Sequence, residues 1–228
     1  MNIIVTGASR GIGKQIAKQL LAMNHTVIGI ARSIDHHVAG LPGAFIPLPF
    51  DLDKLQGSEN KLLQEITSRM PSVDILINNA GTLIREPFKD TTWDHMLRQF
   101  SVNVFAPAML IKLLLPLMKN SNKPHVLNIG SMAGFQGSKK FPGIAVYSAT
   151  KAALACLTEC LSEEYRSKGI TFNCLALGAV QTEMFEEAFP GISAPLTPAE
   201  AGAYIADFAV KGSSLYNGKI LPVTVSTP

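Results

Sequence analysis

Ile3-Ile4-Val5-Thr6-Gly7-Ala8-Ser9-Arg10-Gly11-Ile12-Gly13 carries a β-branched apolar run directly into a glycine-rich turn, and the residues from Gly11 to Met23 keep the apolar spacing of an amphipathic helix. The three glycines have separate uses. They permit a tight turn, close backbone approach to a pyrophosphate, and close packing of helix on strand. The helix N-terminus offers N–H groups and a partial positive charge to an anion, so Gly7, Ser9, Arg10, Gly11, Ile12 and Gly13 read as a dinucleotide cradle. A glycine triplet alone is weak, since any tight turn uses Gly. Its position after a strand and at the opening of a helix is what confirms it.

Outward from this unit the same rhythm repeats. Short buried-strand patterns fall at Ile3-Ile4-Val5, Thr26–Ile30, Ala44–Pro47, Ile75–Asn78, Val126–Ile129, Thr171–Ala176 and Ile220–Val225. Helical patterns lie between them at Gly11–Met23, Ser58–Met70, Thr92–Met118, Tyr147–Ser167 and Pro198–Val210. Strand and helix in alternation predict an α/β, doubly wound Rossmann fold, with a seven-stranded, mostly parallel sheet covered by helices on both faces. No repeat or linker interrupts it, so residues 1–228 are expected to form a single dinucleotide-binding and catalytic domain.

Composition excludes other classes. With 228 residues, 47% hydrophobic and 16% charged, the chain is not a disordered one. A net charge of +3 without a basic run gives no footing to nucleic acid or a membrane surface, which leaves a small-molecule partner. The start Met1-Asn2-Ile3-Ile4-Val5-Thr6-Gly7 lacks the basic and apolar segments of a signal peptide, so a cytoplasmic protein is expected. The most apolar window, Val104–Met118, contains Pro107, Lys112 and Pro116 and falls short of a membrane span. Cys156, Cys160 and Cys174 show no metal or CxxC spacing and are expected to be free thiols packed in the core. His25, His36, His37, His95 and His125 form no ligand set, so no metal is expected; the pair His36-His37 reads as the cap of a solvent loop.

Cofactor choice is written after the second strand, where an acidic residue would hold the adenosine ribose. Ala31-Arg32-Ser33 stands there instead. With no carboxylate to repel a 2′-phosphate, and with Arg10 and Arg32 able to offer planar charge-assisted donors, the site reads as NADP(H) ahead of NAD(H). A merely solvated Arg32 is the bland alternative. Asp51 has two readings: a partner for the adenine amino group, or a helix cap.

Tyr147-Ser148-Ala149-Thr150-Lys151 places a phenol and an ammonium one turn apart on one helical face. Ser131 follows the strand Val126–Ile129 and emerges at the carboxyl edge of the sheet, where open α/β folds bind ligands. A phenol has a pKa near 10, and a neighbouring Lys and an oxidised nicotinamide would both favour its phenolate. Pro107 has no N–H to give the Asn103 carbonyl, which either leaves that carbonyl free or merely bends a long helix.

Taken together, TGASRGIG, Asn78-Asn79-Ala80-Gly81, Asn103, Ser131 and Tyr147-x-x-x-Lys151, in this order along nearly the whole chain, resemble the short-chain dehydrogenase/reductase family. The resemblance implies that Tyr147 is the general acid in carbonyl reduction, that Ser131 bonds the substrate oxygen, and that Lys151 serves both Tyr147 and the cofactor ribose. It implies that Asn79, Ala80 and Gly81 stabilise the central strand and line the cofactor site, that Asn103 holds a water leading toward Lys151, and that Gly178, Val180 and Thr182 touch the nicotinamide amide and pyrophosphate. It also implies a homodimer or homotetramer through the helices around 92–118 and 147–167, where Met109, Leu110–Leu115 and the apolar face of Ala152–Leu161 would form core and interface.

Three features leave the family pattern. The interval from Ser131 to Tyr147 is longer, with Ser138-Lys139-Lys140 in a loop from Phe135 to Gly143 that either attracts an acidic carrier or is simply solvated. Leu177-Gly178 replaces Pro-Gly, and the tail from Asn217 to Pro228 lacks the terminal Asp-Gly-Gly. The expected function is an NADPH-dependent, reversible carbonyl reductase; the rival is an NADP(H)-binding sensor without turnover. The segment Glu183–Thr197 is short enough to allow only a small helix and a turn, predicting a shallow pocket covered by Phe185, Phe189 and Leu196.

Overall fold

Strands β1 (Asn2–Thr6), β2 (Thr26–Ala31), β3 (Ala44–Pro49), β4 (Ile75–Asn78), β5 (His125–Ser131), β6 (Thr171–Leu177) and β7 (Lys219–Val223) pair in the order β3-β2-β1-β4-β5-β6-β7. Every pairing is parallel, so the sheet is wholly rather than mostly parallel. The computed structural model describes residues 1–34, 40–119 and 121–225; the pair His36-His37 lies outside them.

Alternation along β1 shows why the strands are apolar throughout. Ile3 and Val5 face a core shared with α1 (Gly11–Ala22) and α7 (Pro198–Lys211), packing with Ile16, Leu20, Ile205 and Ala206. Ile4 faces the opposite core, which holds Leu62 and Ile66 of α2 (Glu59–Thr67), Leu110 and Leu114 further along, and Phe172 of β6. A parallel sheet covered on both faces needs apolar residues at every position. The strand order reverses between β1 and β4, and the carboxyl ends there form the crevice in which doubly wound folds bind ligands.

The expected helix over Thr92–Met118 has three parts: α3 (Trp93–Phe100), a π-helical turn (Ser101–Phe105) and α4 (Ala106–Met118). Pro107 has no N–H for the Asn103 carbonyl, and the backbone widens just before it, with the Ala106 N–H reaching the Ser101 carbonyl. The continuous run Trp93–Met118 is long and apolar enough by composition to cross a membrane, contrary to the shorter window expected from the prolines. Here Leu110, Ile111, Leu114 and Met118 are buried against the sheet, which is the packing of a core helix.

α5 (Ala145–Glu164) buries Lys151, Leu154, Thr158 and Ser162. Cys156 and Cys160 lie on its outer face, so the expected core role holds for Cys174 alone. All three thiols are free.

Candidate active site

At the end of β1 the Gly7 N–H donates to the Ile30 carbonyl (2.7 Å), and the chain turns with positive φ at Gly7 and Gly11 (69° and 52°). Only glycine fits at Gly13, where an added Cβ would lie 2.2 Å from the Gly7 carbonyl oxygen. No side chain caps the N-terminus of α1 and no carboxylate stands in its first turn. Thr6 fastens this turn to the segment after β4: its Oγ1 accepts from the N–H groups of Asn79 (3.0 Å) and Ala80 (2.9 Å), while Asn79 Nδ2 donates to the Thr6 carbonyl (2.9 Å).

From this turn a cleft of about 1090 Å³ runs along the carboxyl edge of the sheet. Gly7, Ser9, Arg10, Gly11, Ile12, Gly13, Arg32, Ser33, Asp51, Asn79, Ala80, Gly81, Ser131, Tyr147, Lys151, Gly178, Val180 and Thr182 all line it. Arg10 and Arg32 are exposed at the same end, beside a buried Ala31. Asp51 adopts its capping role, accepting from the Asp53 N–H (3.2 Å) at the start of a short 3₁₀ turn, and still lines the cleft. A dinucleotide fits these residues: an uncapped helix start and two arginines serve its phosphates, and Ala31-Arg32-Ser33 brings no carboxylate to the end of β2. An added Cβ at Gly11 would project toward Thr182, narrowing the passage the phosphates need.

Asn103, of the expected catalytic and cofactor-binding residues, does not line the cleft. The π turn swings it inward, fully buried. Its Nδ2 donates to the Thr82 carbonyl (2.9 Å) and to Thr150 Oγ1 (3.0 Å), and its Oδ1 accepts from the Thr82 N–H (2.8 Å). Thr150 in turn donates to the Tyr147 carbonyl (2.7 Å). Asn103 therefore clamps the loop after β4 to the first turn of α5, through its side chain.

Ser131 ends β5, and its Oγ accepts from the Ala133 N–H (3.1 Å). Tyr147 is half-buried and faces Ser131; desolvation raises its pKa, and hydrogen bonding toward Ser131 only partly offsets the rise. The phenolate-favouring effect expected from Lys151 is not seen here. Lys151 is itself buried, which lowers its pKa to about 8; its Nζ donates to the Ile129 carbonyl (2.8 Å) and stands 5.8 Å from the Tyr147 ring centroid. The site thus places a phenol with a raised pKa opposite a serine, beside a lysine whose proton is loosely held.

The longer Ser131–Tyr147 interval leaves this contact intact. Lys140 gathers the loop inward, its Nζ donating to the carbonyls of Ala133 (3.0 Å) and Phe135 (2.6 Å) and to Ser138 Oγ (2.9 Å). Beyond Leu177, the Gly178 N–H donates to the Val223 carbonyl (2.9 Å) at the end of β7.

The segment after β6 forms α6 (Glu183–Ala188) and a turn, as its length predicts. Phe185 and Phe189 line the cleft, but Leu196 does not, because its backbone is bridged to Val180 and accepts from the Gln181 N–H (2.8 Å). Met184, Ile192 and Pro195 line it instead, along with Met132, Phe141 and Ile144 near Ser131 and Tyr147. Sequence reading passed over these; the one available signal was their adjacency to Ser131, Tyr147 and Thr182.

A family model described as short chain dehydrogenase matches residues 1–192. Among individual relatives, the chain is 32% identical over 213 residues to a fatty acyl-CoA reductase of Mycobacterium tuberculosis, covering 89% of this chain and 71% of that one. It is 34% identical over 193 residues to a 3-oxoacyl-[acyl-carrier-protein] reductase of Salmonella typhimurium, covering 79% and 74%. Among solved structures, a protein from Beutenbergia cavernae described as an NAD(P)-dependent gluconate 5-dehydrogenase, with bound NADP, superposes with a TM-score of 0.88 at 26% identity, covering 98% and 94%. A 3-ketoacyl-(acyl-carrier-protein) reductase from Brucella melitensis complexed with NADH shares the fold, with a TM-score of 0.84 at 24% identity, covering 97% and 96%.

Proposed function

This chain belongs to the short-chain dehydrogenase family, and from that premise we propose that it is an NADP(H)-dependent reductase of carbonyl groups, reversible as an alcohol dehydrogenase. Oxidoreduction between carbonyl and alcohol with a nicotinamide cofactor is the family's chemistry; the choice of NADP(H) and the roles of individual residues are the reading advanced here. One observation carries it: Ser131, Tyr147 and Lys151 converge in the same cleft that begins at the glycine turn, with the Tyr147 phenol facing Ser131. A module that merely bound nucleotide would have no use for that pair, and the long loop that favoured such a module leaves the contact undisturbed.

Bound in the cleft, the nicotinamide cofactor supplies or accepts the hydride. Ser131 Oγ donates to the carbonyl oxygen and polarises it, and Tyr147, held protonated by burial, gives its phenolic proton to the same oxygen. Lys151 has donors to spare beyond its bond to Ile129, which suit the ribose hydroxyls and the reprotonation of Tyr147. Gly178, Val180 and Thr182 face the nicotinamide amide and pyrophosphate from the far wall. Asn103 serves as a positioning residue for α5 and the loop after β4. Arg10 and Arg32 take the 2′-phosphate.

Assembly as a homodimer or homotetramer through residues 92–118 and 147–167 is supported by the outward Trp93 and Phe105, 75% and 54% exposed. A cytoplasmic location and a small-molecule substrate complete the reading. The test is NADPH oxidation monitored by absorbance across a carbonyl panel, with Tyr147→Phe alongside; turnover retained in that variant overturns the assigned acid.

A further inference from the structure

Two questions decide what carbonyl compound a short-chain reductase accepts: what surface surrounds the reacting oxygen, and whether any unspent cation can receive an acidic substrate. Beside Ser131 and Tyr147 the wall is largely apolar, with Met132, Phe141 and Ile144 on one side and Met184, Phe185 and Phe189 of the lid on the other, Glu183 and Glu187 being the lid's charged exceptions. None of the six apolar side chains carries a polar group able to bond a hydroxyl in a directional way. A polyhydroxylated substrate would leave its hydroxyls unpaired against them, at a cost for each one buried.

Arg85 and Lys140, the cations that flank the mouth, are spent on main-chain and loop groups. Arg85 leaves the loop after β4 and reaches the lid: its Nη1 donates to the Ala188 carbonyl (2.7 Å), and its guanidinium carbon stands 4.9 Å from the Phe189 ring centroid. Its stem lies against Gly143, where an added Cβ would meet Arg85 Cγ at 3.2 Å, and the Glu86 N–H donates to the Gly143 carbonyl (2.9 Å). Arg85 so joins the end of α6 to the loop that carries Phe141. Lys140 spends its donors within its own loop, Lys139 stands exposed over the Phe141 ring (5.9 Å), and the donors Lys151 keeps beyond Ile129 are those assigned to the cofactor ribose. The lid's own charge at the cleft is of the opposite sign, with Glu187 among the lining residues.

We infer that the substrate end of the cleft takes an uncharged, apolar carbonyl compound, such as an aliphatic ketone or aldehyde, and that Arg85 sets this choice by fastening the apolar lid instead of receiving a substrate carboxylate. The inference rests on the carbonyl-reductase reading and narrows its substrate class. Arg85 acts through Phe189 and Ala188 and is a specificity-determining residue, not a catalytic one.

The experiment measures kcat/KM with NADPH for butan-2-one through decan-2-one, beside a ketose and a keto acid. Each added methylene should raise kcat/KM about threefold to fourfold until the lid is filled. The ketose and keto acid should lag the best ketone by about a hundredfold or more, the size of change a few unpaired polar groups produce. In Arg85→Met the ratio of octan-2-one to butan-2-one should fall about tenfold, mainly through KM for the longer ketone, a split that general destabilisation would not give. A flat chain-length series, a preference for the keto acid or ketose, or an unchanged ratio in Arg85→Met overturns the inference while leaving the reductase reading standing. If no carbonyl is turned over, that reading fails instead, and displacement of Nile red by decan-2-ol but not by sorbitol still decides whether the pocket is apolar.

Discussion

Asn103→Ala separates two accounts of one residue. If Asn103 mattered only through a main-chain carbonyl freed by Pro107, alanine would do as well, since the backbone is unchanged. The structure gives its side chain three hydrogen bonds, to the Thr82 N–H, the Thr82 carbonyl and Thr150 Oγ1. Thr82 is half-buried and can recruit water, whereas Thr150 is fully buried and cannot. With a net value near 1 kcal/mol for each bond and a larger penalty where a buried group is left unpaired, the substitution should cost about 3 kcal/mol. For a chain of this size that lowers Tm by roughly 6 to 12 °C.

The two effects should appear together in one variant. Thermal unfolding followed by circular dichroism measures the stability loss, and steady-state reduction measures the displacement of Tyr147, whose carbonyl accepts from Thr150 in the same network. Activity should fall at temperatures well below the transition, because the first turn of α5 loses its tie to the loop lining the cleft. A variant with unchanged Tm and full turnover would refute the clamp and return the role to the backbone carbonyl.

Tyr147→Phe should abolish reduction while NADPH still binds, checked by turnover and by nucleotide fluorescence titration; persisting activity is the contrary result. Ala31→Asp should reverse a preference for NADPH over NADH, which two charge-assisted contacts to one phosphate, worth about 3 kcal/mol together, would otherwise hold above a hundredfold; equal starting affinities would count against both arginines. Reduction should lose kcat/KM above about pH 8, where Lys151 sheds its proton, and not only near pH 10, because burial raises Tyr147 beyond its ordinary range. Burial pushes His125 down to about 4 from 6.5, so the unfolded chain takes up a proton first as pH falls. Stability is fully present above pH 6.5 and is lost toward pH 4, by about 3 kcal/mol in all. His125→Gln should flatten that slope in urea unfolding at pH 7 and pH 4.5.

Local spacing made some of the site readable. The glycine turn, the Tyr147–Lys151 pair and the placement of Ser131 after β5 each depend on neighbours within a few positions, where strand and helix periods dictate direction. The clamp on Asn103 was not readable in this way. Pro107 announced an irregular backbone, but whether the helix would kink or widen depended on what lay inside it, and the bonded partners Thr82 and Thr150 are distant in sequence. Arg85 is more distant still from Ala188, and no periodicity links the two. The cysteines were a different failure, because the signal was present: Lys151, Leu154, Thr158 and Ser162 mark the buried stripe of α5, and Cys156 and Cys160 fall off it. Average burial of a residue type gave the wrong answer where helical phase gave the right one.

The long interval between Ser131 and Tyr147 shows why loop length is a poor guide to catalytic geometry. Ser131 is fixed by β5, which pairs with β4 and β6, and Tyr147 by α5, whose Leu154 and Thr158 are buried near that sheet. These elements set the distance between the two hydroxyls, whatever number of residues joins them. Extra residues therefore have to be accommodated outside, and the ammonium of Lys140 gathers them there onto the carbonyls of Ala133 and Phe135. Removing that ammonium in Lys140→Met should loosen the loop that carries Phe141, weakening apolar substrates through KM, while the Ser131–Tyr147 contact and kcat are retained. A fall in kcat with unchanged KM would mean that the loop, and not the sheet and helix, holds Ser131 and Tyr147 together.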